Sequence, residues 1–328
     1  MPLVQPRRGF RRNDFVLLAM LMAGAAATSA CSRSTDHTAQ AAHTTAAPAL
    51  SENEIRDLDI AFYRERSERD PSGATDLAHL ASLYLQRSRD AGDPRDALRA
   101  EESARRSLAN RPSRNDAAAQ VLASSLLAQH RFADALVVAR HVRDNNPESA
   151  PFRAALAEIE MELGQYDSAR VEFAALADVP KNRDNLSVAP RLSRWAEIEG
   201  RPDEARRLMR HALAIARRQP SLPREQVAWF WLRVGDIELR AGHIAAADSA
   251  YQAGLAAHPG DYRVLAALSR FAAQQQRWPD AIKYGDEAIA SNLDPATLGV
   301  LSDAYAAVGD TAKSRDYAHI LEIGRAHV

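Results

Sequence analysis

A turn of six residues recurs seven times along this chain of 328 residues, and each copy ends on a small residue. The copies read GDPRDA, HRFADA, GQYDSA, GRPDEA, GHIAAA, QRWPDA and GDTAKS. Their last residues lie at positions 97, 135, 169, 205, 247, 281 and 314, so the spacings are 38, 34, 36, 42, 34 and 33 residues. A period near 34 residues with helical flanks is typical of an array of helical hairpins. Such arrays grow by stacking rather than by enlarging one core.

Other residue types recur in phase with the turn. If the last residue of the turn is given position 20 of a 34-residue unit, small residues also recur at position 8, where a larger side chain would push two crossing helices apart. Glycine at position 15 suits the left-handed residue that follows a helix. Proline at position 32 stops the second helix. In the unit 116–149, Leu122, Ala123 and Leu126 occupy positions 7, 8 and 11. Positions 20, 24 and 27 hold Ala135, Ala139 and Val142, and position 32 holds Pro147.

This pattern resembles the tetratricopeptide repeat and extends over residues 74–321. The resemblance implies an all-α fold: a right-handed superhelical solenoid of about seven helical hairpins, of which the last is incomplete. It also implies a concave groove lined by positions 2, 5, 9, 12 and 13 of the first helix of each unit.

Transferring those positions gives the candidate groove residues. The polar lining comprises Gln86, Gln120, Ser124, Glu158, Arg194, Asp236, Arg240, Arg270 and Gln274, and Trp229 at position 2 is the candidate aromatic anchor. Trp229 also has a second interpretation, in which it packs between neighbouring hairpins, because tryptophan is usually mostly buried. Alternating arginine and acidic residues suit an extended peptide or a helix of mixed charge.

The array is predicted to be irregular in two units and to have an extra helix at 51–73. Four extra residues before Ala97 predict a longer loop between the first two helices of the array. The unit near 186–227 is predicted to have a second helix extended to Ala216, followed by a connector that contains proline. Ser51 and Glu54 predict a capping box for the extra helix. Its residues Ile55, Leu58 and Phe62 share one face and are expected to cover the first repeat.

The first 50 residues indicate export. Four arginines between positions 7 and 12 precede an apolar run at 15–30, and the only cysteine, Cys31, follows at once. This order predicts a signal peptide at 1–30. Thr28 to Cys31 resembles a bacterial lipobox, which implies a lipid on Cys31, a flexible tether at 31–50 and, from Ser32, the periplasmic side of the outer membrane. Two alternatives stay open: ordinary cleavage that leaves a free thiol, and twin-arginine export.

The other end of the sequence carries a second unusual segment. Residues 322–328 read EIGRAHV and resemble the translation of a sequencing adapter. We expect this segment to be an artefact and the natural protein to continue beyond residue 321.

Composition and motifs predict no catalytic role. A formal net charge of −1 gives no global field for nucleic acid, and a single cysteine excludes an internal disulfide and a cysteine-based metal cluster. The sequence lacks a glycine-rich phosphate loop, HExxH and GxSxG. Glu158 and Glu162 lie one helical turn apart and are interpreted as a solvated helix face. No cofactor, metal or small-molecule substrate is predicted.

The sequence therefore predicts a non-catalytic scaffold of the bacterial cell envelope that binds a peptide or protein partner in its concave groove. Two alternatives remain. One is the regulatory arm of a larger enzyme whose catalytic domain follows residue 321, and the other is a packing module inside a stable assembly.

Overall fold

The structure is a computed structural model and describes residues 50–325. The predicted signal peptide, Cys31 and the tether up to residue 49 lie outside the described residues. Residues 50–325 form fifteen α-helices and one 3-10 helix, with no strand among them. The prediction of an all-α fold is confirmed.

The helices follow one another with short connections. In chain order they are α1 (Glu52–Arg69), α2 (Ala74–Ala91), α3 (Pro94–Asn110), α4 (Asp116–Ala128), α5 (Phe132–Asn145), α6 (Ala150–Glu162), α7 (Tyr166–Ala177), α8 (Ala189–Ile198), α9 (Pro202–Ala216), α10 (Arg224–Arg240), α11 (Ile244–Ala257), α12 (Tyr262–Gln274), α13 (Trp278–Ser291), α14 (Pro295–Ala307) and α15 (Thr311–Arg325). The 3-10 helix, Pro180–Asp184, lies between α7 and α8.

Consecutive helices pair into seven hairpins, which we number from hairpin one (α2 with α3) to hairpin seven (α14 with α15). Each hairpin packs on the next, and α1 packs on α2. Stacking of this kind is a helical solenoid. The six-residue turns connect the two helices of each hairpin, as the sequence predicts.

The close crossing of the two helices explains the small residues at positions 8 and 20. The alanines that end the first six turns are at most 2% exposed. At position 8, the hydroxyl of Ser193 donates to the carbonyl of Ala205 at 2.8 Å, and the hydroxyl of Ser269 donates to that of Ala281 at 2.8 Å. In hairpin five, a Cβ on Gly235 would lie 2.4 Å from the ring of Tyr251. Hence no larger side chain fits at this crossing.

Glycine is not the only residue that takes the left-handed conformation in the turns. Gly92 and Gly200 both have φ of 72° at position 15, as glycine allows. His130 and Gln276 occupy the same position in hairpins two and six with φ of 57°. The turn geometry is therefore kept even where its usual residue is missing.

Helix α1 begins at the predicted capping box but presents a different face to the array. The amide of Glu54 donates to Ser51 Oγ at 3.2 Å, and the amide of Ser51 donates to Glu54 Oε2 at 2.8 Å. The expectation that Ile55, Leu58 and Phe62 cover the first repeat is wrong, because they are 48%, 59% and 50% exposed.

The packed face of α1 instead holds Ile60 and Tyr63, which join the core of hairpin one. Arg56 lies on the same face, one turn before Ile60, and is only 7% exposed. Its guanidinium donates to Asp90 at 2.6 Å. Because Asp90 pairs with Arg56, the face of α1 that carries Arg56 can be buried although it has few apolar residues.

The predicted longer loop in hairpin one is also wrong. Only two residues separate α2 from α3, against three between the helices of each other hairpin. The extra residues instead lengthen α2 to 18 residues, against 13 in α4, α6, α12 and α14. Helix α10 is lengthened as well, to 17 residues. Helix α9 does extend to Ala216, as the sequence predicts.

The two lengthened helices meet. The end of α2 brings Asp90 within 2.6 Å of His258, which follows α11. The carbonyl of Gly92 accepts a hydrogen bond of 3.0 Å from Asn292. At the start of α10, the amide of Arg224 donates to Glu52 of α1 at 3.0 Å. Hairpin one therefore touches hairpins five and six as well as its sequence neighbour.

We predict opposite effects for two glycine-to-alanine substitutions inside helices. Gly235→Ala forces the added methyl into Tyr251 and should lower the free energy of unfolding by about 1–3 kcal/mol. In Gly299→Ala the nearest atom to the added methyl is Leu321 Cδ1 at 3.9 Å, an ordinary contact. This control should therefore raise stability by about 0.5–1 kcal/mol. Urea denaturation followed by circular dichroism measures the unfolding free energy of both variants. Equal changes in Gly235→Ala and Gly299→Ala would contradict the close crossing at Gly235.

Candidate partner-binding surface

Two clefts open on the first helices of the hairpins. The smaller one, about 370 Å³, lies between α6, α8 and α10, and we call it the aromatic cleft. It is lined by Glu158, Glu162, Leu186, Pro190, Arg191, Arg194, Met209, Trp229 and Arg233. A volume of this size is within the range of ligand sites.

Trp229 forms one wall of the aromatic cleft. Its indole is half-buried and meets the ring of Phe230 edge to face, with 5.1 Å between centroids. It also packs against the buried apolar cluster that contains Met209. Trp229 therefore packs against the core, as one interpretation predicts, and it also lines the cleft; its role as an aromatic anchor stays a prediction.

Ion pairs cross the aromatic cleft from helix to helix. Arg191 of α8 donates to Glu158 of α6 at 2.7 Å. Arg194 donates to Glu162 at 2.9 Å in the same direction. The two carboxylates interpreted as a solvated face are thus bound by the arginines of the next hairpin. Because all four side chains are between 26% and 44% exposed, these pairs are surface pairs in energetic terms.

The larger cleft, about 740 Å³, lies where hairpin one faces hairpins five and six, and we call it the seam cleft. It is lined by Ser88, Arg89, Gly92, Pro94, Ala97, Ala128, Gln129, His130, Leu232, Asp236, Tyr262, Arg263, Ala266, Arg270, Asn292 and Asp294. Its walls come from both ends of the array, so its width depends on how those ends meet.

The acidic residues of the seam cleft already have partners. Asp236 accepts hydrogen bonds from Arg233 at 2.9 Å and from the Tyr251 hydroxyl at 3.0 Å. Burial, together with the charge of Asp236, raises the pKa of Tyr251, so the phenol stays protonated as the donor. Asp294 accepts from the amide of Thr297 at the start of α14.

Arg270 is different, because no hydrogen bond or ion pair joins it to another of the described residues. Its side chain lies half-buried in the seam cleft. The N–H groups of an unpaired guanidinium can donate hydrogen bonds to a carboxylate or another planar acceptor of a partner. It is therefore the most available charged group among the candidate residues.

The structure divides the candidate residues into three sets. Glu158, Arg194 and Trp229 share the aromatic cleft, and Asp236 and Arg270 share the seam cleft. The remaining ones line neither cleft; they are Gln86, Gln120, Ser124, Arg240 and Gln274. Of this set, Arg240 donates to Glu197 at 3.1 Å.

Sequence reasoning missed two arginines of the aromatic cleft. Arg191 and Arg233 both lie at position 6 of their units, which is not one of the groove positions used for the transfer. An arginine at the same position of hairpins four and five was the available signal. Among residues 50–325, no cluster of histidine, cysteine, aspartate and glutamate side chains has the arrangement of a metal site.

Comparisons with known proteins identify the repeat. Residues 126–186 and 233–295 each match a family model described as tetratricopeptide repeat. These two segments are tetratricopeptide repeats. No curated protein matches the sequence significantly.

Several solved structures share the helical fold of this chain. PilW, described as a widely conserved type IV pilus biogenesis factor, aligns with a TM-score of 0.52 and 19% identity over 66% of this chain and 96% of its own. The Cut9–Hcn1 complex aligns with a TM-score of 0.59 and 16% identity, over 76% of this chain and 46% of that chain. A human IFIT1 dimer with PPP-AAAA aligns with a TM-score of 0.54 and 15% identity, over 83% and 69%. At these identities the likeness concerns the fold.

We predict that charges in the aromatic cleft contribute little to the stability of the repeats. Arg194→Gln should lower the free energy of unfolding by about 0–1 kcal/mol, because its pair with Glu162 is exposed. Glu238, in contrast, is 1% exposed in its side chain and accepts from Arg206 and His243. Glu238→Gln should therefore cost about 3 kcal/mol. If urea denaturation showed equal losses of unfolding free energy for Arg194→Gln and Glu238→Gln, the ion pairs of the aromatic cleft would stabilise the fold, against this prediction.

Proposed function

We propose that this protein is a non-catalytic interaction scaffold of the bacterial cell envelope, held by a lipid on Cys31, and that it binds a protein or peptide partner on the first helices of its hairpins. Tetratricopeptide arrays are protein-interaction modules, and the described residues have this architecture. The observation that carries the proposal is the pair of clefts on these helices, with Trp229 in one and the unpaired Arg270 in the other.

The clefts suit a partner with both apolar and acidic groups. Half-buried aromatic residues and arginines are the residue types that contribute most to protein interfaces. The walls of the seam cleft combine apolar side chains, such as Leu232 and Ala97, with the guanidinium of Arg270. An acidic side chain or a terminal carboxylate of the partner is therefore the group we expect at Arg270.

The envelope location is supported by the sequence before the array. The arginines, the apolar run and Cys31 stand in the order of a lipoprotein signal. None of the described helices combines the length and the apolar character needed to cross a bilayer. PilW, a pilus biogenesis factor with the same fold, makes assemblies of the envelope the first place to look for the partner.

Partner capture should depend on the arginines of the clefts. We expect Arg270→Gln and Arg194→Gln each to weaken capture by about 2 kcal/mol, roughly thirtyfold, as for central residues of an interface. Arg106→Gln is the matched control, because Arg106 is an exposed arginine on α3 outside both clefts. The measurement is quantitative mass spectrometry of envelope proteins crosslinked to each variant. Recovery of the same proteins at the same levels with all three variants would contradict the assignment of the clefts.

The lipid on Cys31 has its own test. When the gene is expressed in a bacterium with lipoprotein processing, we expect labelled fatty acid to appear in the protein and to be absent from Cys31→Ser. The protein should then fractionate with membranes, and the variant should not. A mature protein that starts elsewhere and carries a free thiol would support ordinary cleavage instead.

A further inference from the structure

The contact between the ends of the array, which we call the seam, is built from residues far apart in sequence. One side consists of Glu52, Arg56, Arg89, Asp90 and Gly92, and the other consists of Arg224, Glu225, His258, Tyr262, Arg263 and Asn292. The hydrogen bonds across it join residues 168, 172 and 200 positions apart.

Asp90 lies at the centre of the seam. Its side chain is 5% exposed and accepts hydrogen bonds of 2.6 Å from Arg56 and 2.6 Å from His258. Burial disfavours the charge of this carboxylate, but the bonds from His258 and Arg56 outweigh burial and lower the pKa of Asp90 to about 2. The hydrogen bond to Asp90 in turn raises the pKa of His258 against the effect of burial.

A second buried carboxylate extends this charged cluster. Glu225 is 4% exposed and lies 3.2 Å from Arg263 on its own side and 3.8 Å from Arg89 across the seam. Burial, with a contribution from the charge of Asp90, raises the pKa of Glu225. Burial also lowers the pKa of Arg89, with Arg263 adding repulsion. In the closed seam, burial therefore outweighs the attraction between Glu225 and Arg89 and disfavours both charges.

The seam differs from every hairpin junction in its chemistry. None of the buried apolar clusters among residues 50–325 includes side chains from both of its sides. The two sides meet through ion pairs, hydrogen bonds and the approach of Tyr262 to Gly92. Polar interfaces within a chain permit relative motion, whereas the apolar cores of the hairpins do not. The seam is thus the junction that can part without unfolding a hairpin.

We propose that the seam is a reversible closure that controls access to the seam cleft. When it is closed, hairpin one holds Arg89 and Gly92 against the wall that carries Tyr262 and Arg270. When it opens, the walls separate and Arg270 is exposed to a protein chain. The closure rests on the proposed function in one respect: the protein chain that enters the open cleft is the proposed partner. The tests below use no partner, so the two proposals can fail separately.

His258 makes the closure dependent on pH. The charged groups that face it are Asp90 from α2, Arg56 from α1, and Asp261 and Arg263 from the start of α12. Because contact with Asp90 raises the pKa of His258, its protonated form favours the closed state. This contribution is complete below the pKa of the free imidazole and is lost as the pH rises through the raised pKa. The seam should therefore loosen above neutral pH.

Two glycines with the same φ angle provide a matched test. Gly92 and Gly200 both have φ of 72°, so alanine strains the backbone equally at either site. A Cβ at Gly92 would lie 2.7 Å from Nδ2 of Asn292 and 3.2 Å from Tyr262, whereas a Cβ at Gly200 would meet nothing within 4 Å. Only Gly92→Ala should part the seam.

The readouts are the radius of gyration of the full chain by small-angle scattering and the accessibility of the cleft. For the second readout, Ser88→Cys places a thiol on the half-buried wall of the seam cleft in a chain carrying Cys31→Ser, and a bulky maleimide is the probe. We expect Gly92→Ala to increase the radius and to speed modification roughly threefold or more, while Gly200→Ala leaves both unchanged. Equal behaviour of the two variants would overturn the closure.

A second variant protects the test against misfolding. If circular dichroism shows that Gly92→Ala has lost helix, Asn292→Ala replaces it, because this change only removes the donor to the Gly92 carbonyl. The expected opening is the same, and an unchanged radius and modification rate in this variant would overturn the closure.

The role of His258 is tested by comparing about pH 6 with about pH 9. Modification of Ser88→Cys should speed up with pH more than modification of Ala133→Cys does. The second thiol lies on the exposed side of α5 and reports only the ionisation of a thiol. In His258→Gln this excess should disappear. If the excess persists, His258 does not control the closure.

Discussion

The close crossing of the two helices in each hairpin is the constraint on which the rest of the structure depends. At positions 8 and 20 of hairpins two to seven the two helices approach closely, and only alanine, serine and glycine occupy these positions. Ser193 and Ser269 use this proximity to donate to the carbonyl on the opposite helix, and Gly235 leaves room for the ring of Tyr251. Repetition of this crossing places the first helices of successive hairpins side by side on one surface.

Features set by local sequence were predictable, whereas those set by distant contacts were not. The turns, the helix ends and the all-α class follow from residues within one unit, since capping and small-residue spacing act over a few positions. The seam joins Asp90 to His258 and Glu52 to Arg224, and no periodic pattern reports such pairs. The four extra residues of hairpin one were visible, but a length change does not say which element takes it. The intact turn at Gly92 was the available signal that the helix had lengthened.

For the candidate surface, the 34-residue repeat numbering predicts which residues lie on it. The numbering does not predict which charged side chains are free of ion pairs. Glu158 and Glu162, at positions 9 and 13 of their unit, line the aromatic cleft. The register does not show that Arg191 and Arg194 of the next hairpin bind these carboxylates. A charged lining read from one helix at a time therefore overstates what a partner can contact. Arg270 differs because no aspartate or glutamate among residues 50–325 forms an ion pair with it.

The seam also changes how such an array loses structure. In an open solenoid each unit touches only its sequence neighbours, so the units at either end fray first and stability adds up along a line. Here hairpin one also contacts hairpins five and six, so hairpins that are far apart in sequence stabilise one another. While the seam is closed, hairpin one is held by hairpins five and six as well as by hairpin two, so its loss of structure is coupled to theirs. Opening the seam removes this coupling, and hairpin one then frays as a unit of an open solenoid does.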